Sequence, residues 1–118
     1  MSLFYTFIII IVLTLLLTLN KPSKAQLIRY ANNFSQICSI FNYLSEEHFL
    51  ITPDGYHLLL HRILPSTPSK TTKKKPVVLI QHGLLTNSEF LIALTDAHRA
   101  IPFVLVDNGY DVWLGNNR

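Results

Sequence analysis

The residues with the clearest chemical promise are Gln81-His82-Gly83-Leu84-Leu85, which follow the apolar run Val77-Val78-Leu79-Ile80 without a break. That run, rich in β-branched residues, predicts a strand buried on both faces, as in a parallel sheet covered by helices. At His82-Gly83 the backbone can turn, since glycine takes a positive φ at no steric cost. The amide N–H groups after the turn then point beyond the strand's carboxyl end, the edge where open α/β sheets place their ligands. Amides placed there suit stabilisation of a developing negative oxygen. The same nine residues also fit any buried strand that ends in a glycine turn.

The other reactive side chains give less. No serine sits in a Gly-x-Ser-x-Gly elbow, so the chain shows no activated nucleophile of that kind. His57 and His61 alternate with leucines, which predicts a polar or edge face of a strand. Histidines at i and i+4 of a strand do not sit side by side, so no metal site is expected. Cys38 is the single cysteine and has no internal disulfide partner; a buried thiol or a partner outside the chain are the two readings. Asn33-Phe34-Ser35 is an N-glycosylation sequon, meaningful only in the secretory pathway.

The elements that hold the candidate loop can be read from local signals. From Glu46 the pattern is that of strands: Phe49 to Thr52, then Pro53-Asp54-Gly55, then Tyr56 to Leu64. Proline presets φ, aspartate tolerates the next position and glycine takes the left-handed one, so a β-hairpin is predicted. Ile101 to Asn108 reads as a helix, with Pro102 at its first position and Gly109 as its left-handed stop. Asp107 in its last turn opposes the helix dipole at a cost of a few tenths of a kcal/mol. Tyr110 to Leu114 is the next strand, closed by Gly115 to Arg118, and strand–helix–parallel strand is the ordinary βαβ unit. Between loop and helix, Phe90, Leu91 and Leu94 suggest a short helix or a lining wall. Upstream, Ile37, Ile40, Phe41 and Leu44 fall at helical spacing and predict one or two turns packed on the rest.

The amino-terminal end differs in kind. Leu3 to Leu19 carries no charge and is nearly all apolar. As a helix those residues span roughly 26 Å, short of the ~30 Å hydrocarbon layer. Pro22 and Ser23-Lys24-Ala25 follow, so residues 1–25 read as a secretory signal peptide cleaved after Ala25. No Lys or Arg precedes the apolar run, and the alternative is an uncleaved membrane anchor. The formal net charge is +3, and four of the ten cations are Lys70, Lys73, Lys74 and Lys75 within the polar linker Pro65 to Pro76. No aromatic residue interleaves with them, so a solvated loop is expected and a nucleic-acid partner is excluded.

Taken together, three blocks resemble the N-terminal part of the acid lipase family, the gastric and lysosomal lipases of the α/β-hydrolase fold. The blocks are Thr52-Pro53-Asp54-Gly55-Tyr56, Gln81-His82-Gly83-Leu84-Leu85 and Asn108-Gly109-Tyr110-Asp111-Val112-Trp113-Leu114-Gly115-Asn116. The likeness covers roughly 46–118. It is weak over 26–45, and it breaks at Thr86 to Arg99, where Ser88-Glu89-Phe90 stands in place of a common tryptophan. The resemblance implies three parts: the signal peptide or anchor 1–25, an N-terminal extension 26–45, and a partial α/β-hydrolase lipase domain 46–118. The implied fold is α/β, a β-hairpin followed by a βαβ unit in an incomplete sheet.

The resemblance further implies hydrolysis of neutral lipid esters, triacylglycerols or sterol esters, by Ser-His-Asp acyl transfer. On this chain the Leu84 backbone N–H would be one oxyanion donor, with His82 and Gly83 shaping its loop. His82 would not be the catalytic base, and no catalytic residue lies in these 118 residues, so the chain alone is expected to be inactive. It stops at Arg118 inside the Gly-Asn-x-Arg motif, which fits a fragment. No metal or organic cofactor is called for. A membrane partner follows only if the apolar segment stays uncleaved, and the destination otherwise is secreted or lysosomal. The competing class is a short non-catalytic secreted or membrane-anchored protein that binds lipid or a partner.

Overall fold

The structure is a computed structural model, and it describes residues 2–65, 74–93 and 96–116. The linker cluster from Lys70 to Lys73, and Leu94, lie outside the described residues.

Two short helices and a long one precede the sheet: α1 (Ser2–Leu19), α2 (Lys24–Tyr30) and α3 (Phe34–Ile40). Ser23 caps α2 through a capping box with Gln26, and Asn33 caps α3 by accepting from the Gln36 amide. The expected cut after Ala25 therefore falls inside α2. Helix α3 ends where Asn42 adopts φ +63°, so the helical spacing of Ile37, Ile40, Phe41 and Leu44 is broken before its last member. Leu44 lies instead on a strand, exposed.

Four strands form one mixed sheet in the order β1-β2-β4-β3: β1 (Tyr43–Ile51), β2 (His57–Pro65), β3 (Val77–Gln81) and β4 (Asp111–Asn116). The hairpin β1–β2 is antiparallel, as expected, with Gly55 at φ +85° and Thr52 hydrogen-bonded across the turn to Gly55 and Tyr56. It begins at Tyr43, earlier than the Glu46 expected. Strand β4 runs antiparallel to β2 and parallel to β3, and α4 (Ile101–Asp107) links the two parallel strands. Helix α4 ends in a Schellman motif: Gly109 N–H donates to Val106 and Tyr110 N–H to Leu105, with Gly109 at φ +87°. Pro102 sits one residue later than expected, after Ile101. Gly115 and Asn116 continue β4 rather than closing it.

The prediction for Val77–Gln81 needs correcting. It is a strand, but an edge strand with β4 as its one neighbour among the described residues, and Val77 and Leu79 are exposed. Its apolar run would be buried on both faces only under elements that these residues do not supply.

The core lies on one face of the sheet. Phe34, Ile37, Cys38 and Phe41 from the α3 region meet Phe103 and Val106 of α4 over Ile63, Val112 and Leu114 of the strands. Residues 34–41 of the extension thus share a core with the sheet. Tyr43 stacks on Phe103 with centroids 4.4 Å apart and donates to Asp107 at 2.8 Å. That bond gives Asp107 a partner that offsets its place at the negative end of the helix.

Candidate functional site

Registers place three loops at one end of the sheet. Leu59 lies opposite Asn116, and Gln81 lies opposite Gly115. The hairpin turn 52–56, the loop after β3 and the end of β4 therefore lie toward the same end of the sheet, although they are far apart in sequence. The Gln81 side chain crosses to donate to the Gly115 carbonyl at 3.1 Å, and a Cβ on Gly115 would collide with it. A larger residue there would push aside the flexible end of the Gln81 side chain and cost its bond to the Gly115 carbonyl.

Beyond β3 the chain forms a tight turn outside any helix or ladder. Leu84 and Leu85 are 92% and 97% exposed. The Gly83 carbonyl accepts from His82 Nδ1 at 2.8 Å and from the Thr86 hydroxyl at 2.9 Å. A trans peptide is planar, with its C=O and N–H antiparallel. Fixing the Gly83 oxygen therefore fixes the Leu84 N–H, which shares that peptide unit, in the opposite direction. The left-handed residue of this turn is Leu85, at φ +60°, and not Gly83 as the sequence suggested. A non-glycine residue there costs about 1–2 kcal/mol, a strain that the bonds around the turn must hold.

His57 is exposed, as expected, but His61 is not on a polar or edge face. It is 4% exposed, on the central strand β2, with Phe34 of α3 stacked on its ring at 4.0 Å and 11°. Its Nδ1 lies 2.7 Å from Ser88 Oγ and 3.3 Å from Asn116 Nδ2. The Ser88 N–H donates to Asn116 Oδ1 at 2.9 Å, which orients that amide with its NH₂ toward His61. An NH₂ cannot accept, so His61 Nδ1 is the acceptor and Nε2 carries the proton. Nε2 faces Glu47 Oε1 at 3.6 Å. Burial lowers the His61 pKa, and Glu47 and Glu89 only partly oppose that effect. Neutral imidazole is thus the resting form.

Ser88, His61 and Glu47 stand in the order of a nucleophile relay. Ser88, however, is 0% exposed, and its hydroxyl is committed to His61 inside the fold, so no ester carbonyl can reach it. A cleft of about 320 Å³ adjoins the cluster, with His61 and Ser88 themselves in its wall beside His82, Thr86, Glu89 and Asn116. Among the described residues no group of three His, Cys, Asp or Glu side chains converges on a metal position.

Residues 34–94 match the partial α/β-hydrolase lipase region. The chain belongs to this family. A probable lipase of Schizosaccharomyces pombe is 46% identical over 91 residues, covering 77% of this chain and 20% of its own. Human lysosomal acid lipase/cholesteryl ester hydrolase is 42% identical over 87 residues, 73% of this chain and 22% of its own. Human gastric triacylglycerol lipase is 41% identical over the same length and the same shares. The chain thus spans about a fifth of the length of the curated relatives it matches.

In this lipase segment, two of the three motif blocks read from sequence touch, and the hairpin turn 52–56 bonds within itself. Gln81 meets Gly115, and Asn116 grips Ser88 at the far end of the loop. The structure brings His82, Gly83 and Leu84 together in one turn. Asn33, the sequon residue, lies apart as the exposed cap of α3. Sequence reasoning missed His61 and Ser88. The one available signal was a histidine flanked by leucines on one side and Arg62 on the other, followed by a serine at the foot of the candidate loop.

Proposed function

We propose that the chain is the N-terminal segment of a lipase hydrolysing neutral lipid esters, and that Leu84 N–H is one oxyanion donor there. The substrate class is triacylglycerol or sterol ester, the two named by the human relatives. The single observation that carries the donor role is the doubly held Gly83 carbonyl, which fixes the orientation of the Leu84 amide in the turn that follows a parallel strand. His82 and Gly83 support that turn. The exposed Leu84 and Leu85 side chains beside the amide suit a fatty acyl chain. The nucleophile, acid and base of a Ser-His-Asp triad would come from the rest of the lipase.

Residues 1–25 fit a signal peptide that delivers the lipase to the secretory pathway, toward a secreted or lysosomal destination. A glycan on Asn33 is compatible with the capping of α3, because the cap uses Oδ1 and the glycan takes Nδ2.

The test is Leu84→Pro in the complete lipase, which deletes the N–H. Hydrolysis of a triacylglycerol and a cholesteryl ester should lose about 10²–10³-fold in kcat with little change in KM. An unchanged kcat overturns the donor assignment, and absence of ester hydrolysis by the unaltered lipase overturns the function.

A further inference from the structure

The loop that presents Leu84 has two ends. Its leading end is the tip of β3, tied into the sheet. Its trailing end is the 3₁₀ turn Ser88–Leu91, capped by Asn87 accepting from the Phe90 amide. Among the described residues that turn is tied to the sheet by the His61–Ser88–Asn116 triangle, beside the apolar anchoring of Leu91 and the following Ile92 in the core. All three contacts of the triangle run through side chains: Ser88 hydroxyl to His61 Nδ1, Asn116 amide to the same nitrogen, and Ser88 N–H to Asn116 Oδ1. The first two need a lone pair on Nδ1. Buried polar networks of this kind rigidify when fully satisfied and are costly when one partner is lost.

We propose that His61 is a positioning residue for the oxyanion loop: as a buried acceptor at Nδ1 it clamps Ser88 and Asn116, and so fixes the loop's trailing end against β2 and β4. The word oxyanion rests on the function proposed above; the clamp does not.

The clamp is sensitive to protonation. A proton on Nδ1 removes the lone pair, turns the nitrogen toward donation and sets it against the Asn116 NH₂. The charged groups facing His61 are Glu47 from β1 and Glu89 from the 3₁₀ turn. From α3 it faces the uncharged Phe34 ring, from β4 Asn116, and His82 stands across the adjoining cleft. The two carboxylates favour the imidazolium, while burial disfavours it more strongly. The lone pair is therefore present at neutral pH and lost on acidification below the ordinary imidazole value of about 6.5. Asparagine at this position keeps the acceptor and discards the titration, because its Oδ1 is the same number of bonds from the backbone as Nδ1.

The experiment is hydrogen–deuterium exchange of the 118-residue chain, resolved at residues 84–93 and at the β2–β4 ladder, with each rate divided by the intrinsic rate at that pH. Ser88→Ala and His61→Leu should speed exchange at 84–93 about tenfold, the factor expected for one lost net hydrogen bond. The ladder should stay within about twofold, and His61→Asn should remain near the unaltered chain. Lowering the pH from 7 to 5 should speed the 84–93 segment in the unaltered chain but not in His61→Asn.

Three results overturn the clamp: unchanged exchange in Ser88→Ala, equal loosening of the ladder in Ser88→Ala, or His61→Asn as fast as His61→Leu. Where His61→Leu fails to fold, Ser88→Ala and His61→Asn decide. Failure of the oxyanion reading is separate, since it shows as an unchanged kcat in Leu84→Pro with these exchange results intact.

Discussion

Cys38 shows what burial does to a single side chain. It has no exposed surface, and burial pushes its thiol up to about 12. The thiolate is the nucleophile in alkylation and disulfide exchange, so the folded chain should not react with a thiol reagent at pH 8 while the denatured chain reacts fully. Rapid labelling of folded chain would show that the α3 core opens. Phe34, beside it, carries two duties, filling the core and covering His61. Phe34→Ala should cost about 3–5 kcal/mol in unfolding free energy, read from denaturant midpoints. Of the two histidines on β2, the exposed one fits the reading from sequence and the buried one does not. Alternation with leucine marks a face but not what covers it. Phe34 and Ser88, each 27 residues from His61, provide the cover and the partner, and no local pattern carries that distance.

Elements that depend on neighbours in sequence were legible; those that depend on neighbours in space were not. The hairpin at 52–56 and helix α4 were readable because proline and glycine act on the backbone where they stand. Gly109→Ala, at φ +87°, should lower stability by about 1–2 kcal/mol. Strand β3 was recognisable as a strand, but the burial on both faces that its apolar run suggests is not met, because burial is decided by what lies beside it. On the uncovered face of the sheet, Arg62 binds three strands together. It meets Asp111 through two bonds of 2.7 and 3.0 Å, reaches Glu46 at 3.1 Å and lies over Trp113 at 5.2 Å. The hydrogen bonds from Arg62 hold Asp111 below the usual carboxylate range, and those from His48 and then Arg62 do the same for Glu46. Folded pKa values depressed in this way contribute stability at neutral pH that fades as pH falls through the carboxylate range, below about 4. Arg62→Ala should cost about 1–2 kcal/mol at pH 7 and flatten the acid limb of the stability profile. An unchanged acid limb would mean that the bridge contributes nothing net.

At the scale of the molecule, the edge strand β1 leaves Leu44, Phe49 and Ile51 exposed, and two further apolar surfaces have no cover among the described residues. One is α1, whose side chains from Leu3 to Leu19 are all exposed. Among the described residues no single helix is long and apolar enough to cross a membrane, although α1 and α2 together pass that test as a pair bent by 62°. The other is the free edge of β3 with Val77 and Leu79 on its open face. An exposed apolar edge strand is a template for pairing with another chain, so the chain alone should self-associate. The two surfaces can be separated by one substitution. Leu79 lies opposite Trp113 on the uncovered face, away from the core, so Leu79→Lys places a charge at the edge without opening the fold. If the edge drives association, Leu79→Lys should raise the monomer fraction in sedimentation while Cys38 stays unreactive. If the monomer fraction does not change and Cys38 is still protected, the β3 edge is not the cause, and α1 is the next surface to test. Removal of residues 1–25 should then disperse the chain where the lysine did not.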